Sequence, residues 1–149
     1  VSLAARWFHV AEFDCHDGTP YPPDWVSDRL QRLCDVLDAI RGAWGGPLAV
    51  VSGYRTPEWN QRIDGAGKSQ HVEGLAADIK PLVHASALPV AVADLHARIL
   101  RLEADGKLAG MGGLGFYPGR WVHVDVRARP ADGHLAQWHG TGVGSEQAA

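Results

Sequence analysis

The sequence predicts an α+β fold, with a small antiparallel sheet packed against two longer helices in a single domain over residues 1–149. Apolar residues recur at three- and four-residue intervals over 23–43 and again over 88–102, the period of a helix with one buried face. Short apolar or alternating runs at 48–51, 76–79, 114–117 and 121–127 have the length and pattern of strands. With 46% hydrophobic and 21% charged residues, the chain can bury a core of single-domain size.

Residues 1–22 read as an irregular entry segment, since Asp17-Gly18-Thr19-Pro20-Tyr21-Pro22-Pro23 is rich in turn formers and prolines. His9, Glu12, Asp14, His16 and Asp17 fall in this stretch; a solvated, turn-rich segment explains them better than a metal cluster does. The first helix follows, with Val26, Leu30, Leu33, Cys34, Leu37 and Ile40 on its buried stripe, and Gly42, Gly45, Gly46 and Pro47 end it. Leu48-Ala49-Val50-Val51 is an interior strand leading into Ser52-Gly53-Tyr54-Arg55-Thr56, where Thr56 can cap a short helical turn that starts at Pro57. A loop then carries His71, Gly74 turns the chain, and Ala76-Ala77-Asp78-Ile79 is a buried strand with one charge in it. Ser86 is a candidate cap for the second long helix, whose Pro89 fits only the first turn. The run from Gly110 to Gly115 is too glycine-rich for a helix, so residues 114–117 and 121–127 form a hairpin about Pro118-Gly119. From Pro130 the tail is loop-like, Trp138 can pin it back, and 140–149 are expected to fray.

Three positions carry the chemistry. His71 and Asp78 lie seven residues apart about the flexible Gly74. On the last strand Trp121, His123 and Asp125 share one face while Val122, Val124 and Val126 fill the core on the other. A buried carboxylate at Asp78 needs a cation, an arginine or several hydrogen bonds. Two histidines and one aspartate suit a single zinc ion, and three protein ligands leave a position for water, the pattern of a zinc hydrolase. A closed structural metal site is the alternative. Asp125 is the candidate base, or else it orients His123. Arg55, at a strand end, is either an exposed surface residue or a fixed guanidinium that grips a carboxylate or polarises a carbonyl. His84 and His96 read as ordinary solvated or helix histidines.

Other classes are excluded. A net charge of -3 leaves no basic face for a phosphate backbone, no apolar run is long enough to span a bilayer, and neither G-x-x-x-x-G-K-[ST] nor G-x-S-x-G occurs. Cys15 and Cys34 form no C-x-x-C pair, so a disulfide and two buried thiols both remain open. No signal segment is visible, and the start at Val1 leaves a preceding segment open.

Glu12-Phe13 with Asp17-Gly18-Thr19, then Ser52-Gly53-Tyr54-Arg55-Thr56, Ser69-Gln70-His71 with Gly74, Ala76 and Asp78, Gly113-Leu114-Gly115 with Tyr117, and Val122-His123-Val124-Asp125 form an ordered series across nearly the whole chain. This series resembles the zinc D-Ala-D-Ala carboxypeptidases and their relatives, which include vancomycin-resistance D,D-dipeptidases, phage endolysins and murein endopeptidases; the compact bacterial and prophage branch is most similar. The resemblance implies His71, Asp78 and His123 as ligands of one zinc ion, with Arg55 binding a substrate carboxylate or a developing oxyanion. Ser69 resembles a substrate-contacting serine, and Tyr54 and Trp121 are further candidates for substrate binding. The implied substrate is a peptidoglycan stem peptide cut next to a D-amino acid, by an enzyme of the cell envelope, periplasmic or secreted. Many relatives carry the catalytic acid three residues before the last histidine ligand, where this chain has Arg120. That departure keeps a non-catalytic wall-binding module open as the second reading, and carboxypeptidase is not distinguished from endopeptidase.

Overall fold

The computed structural model describes residues 2–141. Up to residue 22 the chain is irregular apart from one 3-10 turn at Val10–Phe13, held by Glu12, whose carboxylate accepts from the His9 amide at 2.8 Å. Pro23–Trp25 makes a 3-10 turn and Val26–Leu30 one wide π turn, and these run directly into α1 (Gln31–Trp44). Proline starts this run well because its missing N–H would have had no partner there. Gly45 stops α1 in the left-handed region, φ 80°, with its N–H on the Arg41 carbonyl.

After β1 (Leu48–Ser52), Thr56 caps α2 (Pro57–Arg62) by accepting from the Trp59 amide at 3.1 Å. The loop carrying His71 leads to β2 (Ala76–Pro81). The second long helix, α3 (Leu88–Ala104), is entered through a 3-10 turn at Ala85–Ala87, so Ser86 lies inside that turn and is not its cap; His84 caps the turn by accepting from the Ser86 amide. Pro89 sits in the first turn of α3, where it costs no hydrogen bond. The hairpin is β3 (Gly113–Tyr117) and β4 (Trp121–Asp125). The tail expected to be a loop holds a fifth strand, β5 (Ala136–His139).

The sheet runs β1-β2-β4-β3-β5. Its first four strands are antiparallel, as expected, but β5 joins β3 in parallel, so the sheet is mixed. The difference arises because β5 returns by a long connection rather than a hairpin. Gly140 extends the tail's contact by donating to the Phe116 carbonyl at 3.0 Å; of the stretch expected to fray, 142–149 lie outside the described residues.

The two faces of the sheet differ sharply. Ala77 and Ile79 of β2, Leu114 of β3, and Val122 and Val124 of β4 belong to one buried cluster with Leu33, Leu37 and Ile40 of α1 and Val92, Leu95 and Ile99 of α3. Burial of these aliphatic side chains is the main source of stability, each valine, leucine and isoleucine contributing roughly 1.5–3 kcal/mol. The opposite face carries Asp78, Lys80, Trp121, His123 and Asp125, because strand side chains alternate. Cys15 and Cys34 are both free and buried, which removes the disulfide alternative.

Candidate metal centre

Asp78 and His123 are direct partners across the β2/β4 pair. Backbone pairing therefore sets the carboxylate and imidazole side by side on the same face. His71 comes from the loop before β2, and this loop is fastened at both ends. Ser69 Oγ accepts from the His71 amide at 3.1 Å, and Arg55 N donates to the His71 carbonyl at 3.1 Å. At the far side Gly74 takes φ 71°, and the Tyr21 hydroxyl donates to its carbonyl at 2.7 Å; any side chain there would run into Trp25 and Tyr21.

The nitrogens of His71 have distinct roles. Nδ1 lies 2.8 Å from the Gly53 carbonyl, which can only accept, so the ring proton sits on Nδ1. Nε2 then presents a lone pair; it is buried, has no hydrogen-bond partner, and lies 3.3 Å from Asp78 Oδ1. Gly53 makes this possible, since a Cβ there would collide with the Phe13 backbone. His123 points Nδ1 at Asp78 Oδ1, 3.1 Å away, and Nε2 at Asp125 Oδ2, 2.8 Å away. One donor atom from each of His71, Asp78 and His123 lies within 4.8 Å of the others, and this is the one such grouping among the described residues. His9, Glu12, Asp14, His16 and Asp17 form no such group: Asp14 accepts from the Tyr21 amide and Asp17 from Thr19 and Thr56.

All three residues are essentially inaccessible to solvent. Burial alone would raise the Asp78 carboxyl, but the electrostatic influence of the adjoining His71 and His123 rings, with the hydrogen bond from His123, outweighs it and holds Asp78 well below the usual carboxylate range. Burial alone would likewise lower His123, yet its hydrogen bonds to Asp125 and Asp78 win and raise it to about 9. Without a metal, His123 is therefore an imidazolium near neutral pH. Its Nδ1 proton occupies the place between Nδ1 and Asp78 that a cation would fill. An orphaned imidazole lone pair, an ionised carboxylate and a second imidazole fit zinc, which favours nitrogen and oxygen donors in this combination.

Arg55 is not a surface residue; it is 4% exposed. Its Nη2 donates to Asp78 Oδ2 at 3.5 Å, Nη1 to Asn60 Oδ1 at 3.3 Å and Nε to Ser52 Oγ at 3.2 Å. Asp125 lies on the far side of the His123 ring from Asp78. Both its oxygens are engaged by Arg127, Oδ1 with Nε at 2.9 Å and Oδ2 with Nη2 at 2.6 Å. Burial would raise Asp125, but His123 and Arg127 lower it well below the ordinary range. Ser69 is 1% exposed and turned toward the His71 amide. Tyr54 packs edge-on against Tyr21 and Trp25. Trp121 is half-buried, its indole N–H has no acceptor, and it lines a pocket beside the centre. Arg120 is exposed, its guanidinium 6.0 Å from the Trp121 ring. His84 and His96 stand apart from the centre, as expected; His96 stacks on Phe116 at 4.4 Å.

Three contributors escape sequence reasoning. Asn60 ties Arg55 to the loop by donating to the Ala66 carbonyl at 2.8 Å, Arg127 anchors Asp125, and Trp138 on β5 lies 4.9 Å from the His123 ring. A signal existed for Arg127, which alternates two residues after Asp125. Glycines on β3 supply the room: a Cβ on Gly113 would collide with the Asp125 carboxylate, and one on Gly115 with the Trp138 indole.

Two strand donors, Asp78 and His123, and one loop donor, His71, form the N, N, O set that could hold a metal ion, the donor set of zinc hydrolases. A family model described as peptidase M15 matches residues 7–125, and the chain belongs to that family. It is thus a zinc metallopeptidase of a family that acts on peptidoglycan, which implies an extracellular or periplasmic place of work. No curated protein matches the chain. No helix among the described residues is long and apolar enough to cross a membrane.

Proposed function

We propose that the protein hydrolyses peptidoglycan stem peptides at a bond next to a D-amino acid, as a peptidase of the D,D-carboxypeptidase type, with His71, Asp78 and His123 holding the zinc ion. The observation that carries the reading is the buried, partnerless Nε2 of His71 facing Asp78 and His123. Such an orphaned polar atom is costly to bury without a ligand. A zinc ion, when bound, supplies Lewis-acid activation of water and of a carbonyl.

The surrounding residues hold this arrangement rigid. Arg55 keeps a fixed cationic charge beside Asp78 and is the group to grip a substrate carboxylate or a developing oxyanion; its hydrogen bonds to Ser52, Asn60 and Asp78 mean that little reorganisation is needed. Asp125 serves by orienting His123: it holds the proton on Nε2 and so aims Nδ1 at the centre. Ser69 braces the His71 backbone, Tyr54 supports the chain leading to Arg55, and Trp121 lines the path of the substrate.

The test is digestion of purified stem peptides by the zinc-loaded protein, with products assigned by mass spectrometry. Release of a terminal D-alanine supports a carboxypeptidase, and internal cleavage an endopeptidase of the same family. The position of Arg120, exposed where many relatives carry their acid, favours one second reading, a zinc-containing wall-binding module. Stoichiometric zinc with wall binding and no cleavage would establish that module and reject the enzyme.

A further inference from the structure

We infer that the pocket beside the metal centre is a subsite for a carboxylate of the substrate, held by Lys80 and Arg120 above the indole of Trp121. The inference rests on the peptidase reading of the adjacent centre. The pocket has a volume of about 430 Å³ and is lined by Val51, Lys80, Leu88, Pro118, Arg120 and Trp121, with Gly119 at the turn. Two of its lining residues, Lys80 and Trp121, belong to the sheet face that carries Asp78 and His123. Lys80 stands two residues beyond Asp78 on β2, and Trp121 two residues before His123 on β4. Two strand residues span about 7 Å, so the pocket sits roughly one or two residues of an extended peptide away from the reacting bond.

Two features point to an anion. Lys80 is partly buried and Arg120 exposed, and neither is paired with a carboxylate among the described residues. Two unneutralised cations lining one pocket, on a chain whose net charge is -3, form a local positive field against the overall balance. In addition, the Trp121 side chain lines the same pocket with the Arg120 guanidinium 6.0 Å from its ring, so the cation is set over the pocket wall. Val51, Leu88 and Pro118 make the remaining wall apolar, which suits the aliphatic stem that carries the acid.

The experiment compares steady-state hydrolysis of stem peptides in three forms: all carboxylates free, the side-chain carboxylate amidated, and the terminal carboxylate amidated. Wild type is run beside Lys80→Met and Arg120→Gln. Wild type is expected to favour one free acid over its amide by about tenfold, mainly through KM, and which amide loses the preference identifies the carboxylate bound. Each substitution should reduce that ratio about threefold, and added salt should reduce it further. A ratio that stays the same in both variants would overturn the subsite. If wild type cleaves none of the peptides, the peptidase reading fails instead, and the same peptides are then titrated into the isotope-labelled protein. Shifts of the Trp121 indole N–H with the acid but not the amide would still support the subsite, and no difference would overturn it.

Discussion

The Asp125→Asn substitution separates orientation from catalysis by a proton acceptor. Asp125 is fully buried, accepts from His123 Nε2 at 2.8 Å and is clasped by Arg127. Asparagine keeps the shape but removes the charge, and its NH2 replaces one of the two accepting oxygens, so His123 and Arg127 can no longer both keep all their bonds to it. A hydrogen bond to a charged group contributes roughly 1.5–3 kcal/mol. At ~2–4 °C per kcal/mol for a chain of this size, the metal-free variant should melt about 3–12 °C lower. Losing the group that orients a metal-binding histidine typically costs about 10–100-fold in metal affinity or activity. The expected result is therefore zinc affinity reduced by about one to two orders of magnitude in a chelator competition, with hydrolysis partly restored when zinc is raised to saturation. Unchanged zinc affinity with hydrolysis abolished at saturating zinc would refute the orienting role and make Asp125 the base.

Other perturbations follow from the same geometry. His123 is raised in the metal-free protein from 6.5 to about 9, so its contribution to stability is complete below about pH 6.5 and is lost as the pH rises through about 9. The melting temperature of the metal-free protein should fall over that window, and calorimetry in buffers of different ionisation enthalpy should show zinc uptake at pH 7 releasing about one proton from His123; no proton release would contradict the assignment. Gly115→Ala would place a Cβ 2.6 Å from the Trp138 indole on a paired strand. It should destabilise the protein by about 1–3 kcal/mol in a denaturant titration and alter tryptophan fluorescence; wild-type behaviour in both would show that β5 does not press on the centre. Cys15 and Cys34 are buried thiols, and burial pushes the Cys34 thiol up, out of its reactive range. A thiol reagent should modify both only after unfolding, whereas their absence from the unfolded, unreduced protein would mean a disulfide.

The parts of this fold that depend on local patterning were legible in the sequence. The stripe from Val26 to Ile40 is buried along a π turn and the α1 that continues it, and that from Val92 to Leu102 in α3, because a one-sided helical period has few other solutions. Alternation on β4 likewise separated Val122 and Val124 from His123 and Asp125. β5 was not legible: its four residues are only alternately half-buried, and its pairing with β3 depends on a long return of the chain. The face of Asp125 could be read from alternation, but which nitrogen of His123 it meets depends on ring orientation set by Asp78, Arg127 and Trp138 together. Arg55 illustrates the same limit. A strand-end arginine reads equally well as surface or site, and only Asn60 and Asp78, 5 and 23 residues away, decide it.

X-ray absorption at the zinc edge of the loaded full chain reads the ligands of the ion one by one. The expected result is one zinc per chain with two imidazole nitrogens and oxygen donors at about 2.0–2.2 Å, one oxygen from Asp78 and at least one from solvent. The Asp78→Asn and His71→Ala variants should each lose stoichiometric binding. Zinc held through sulfur, or bound equally well without His71, would contradict this ligand set.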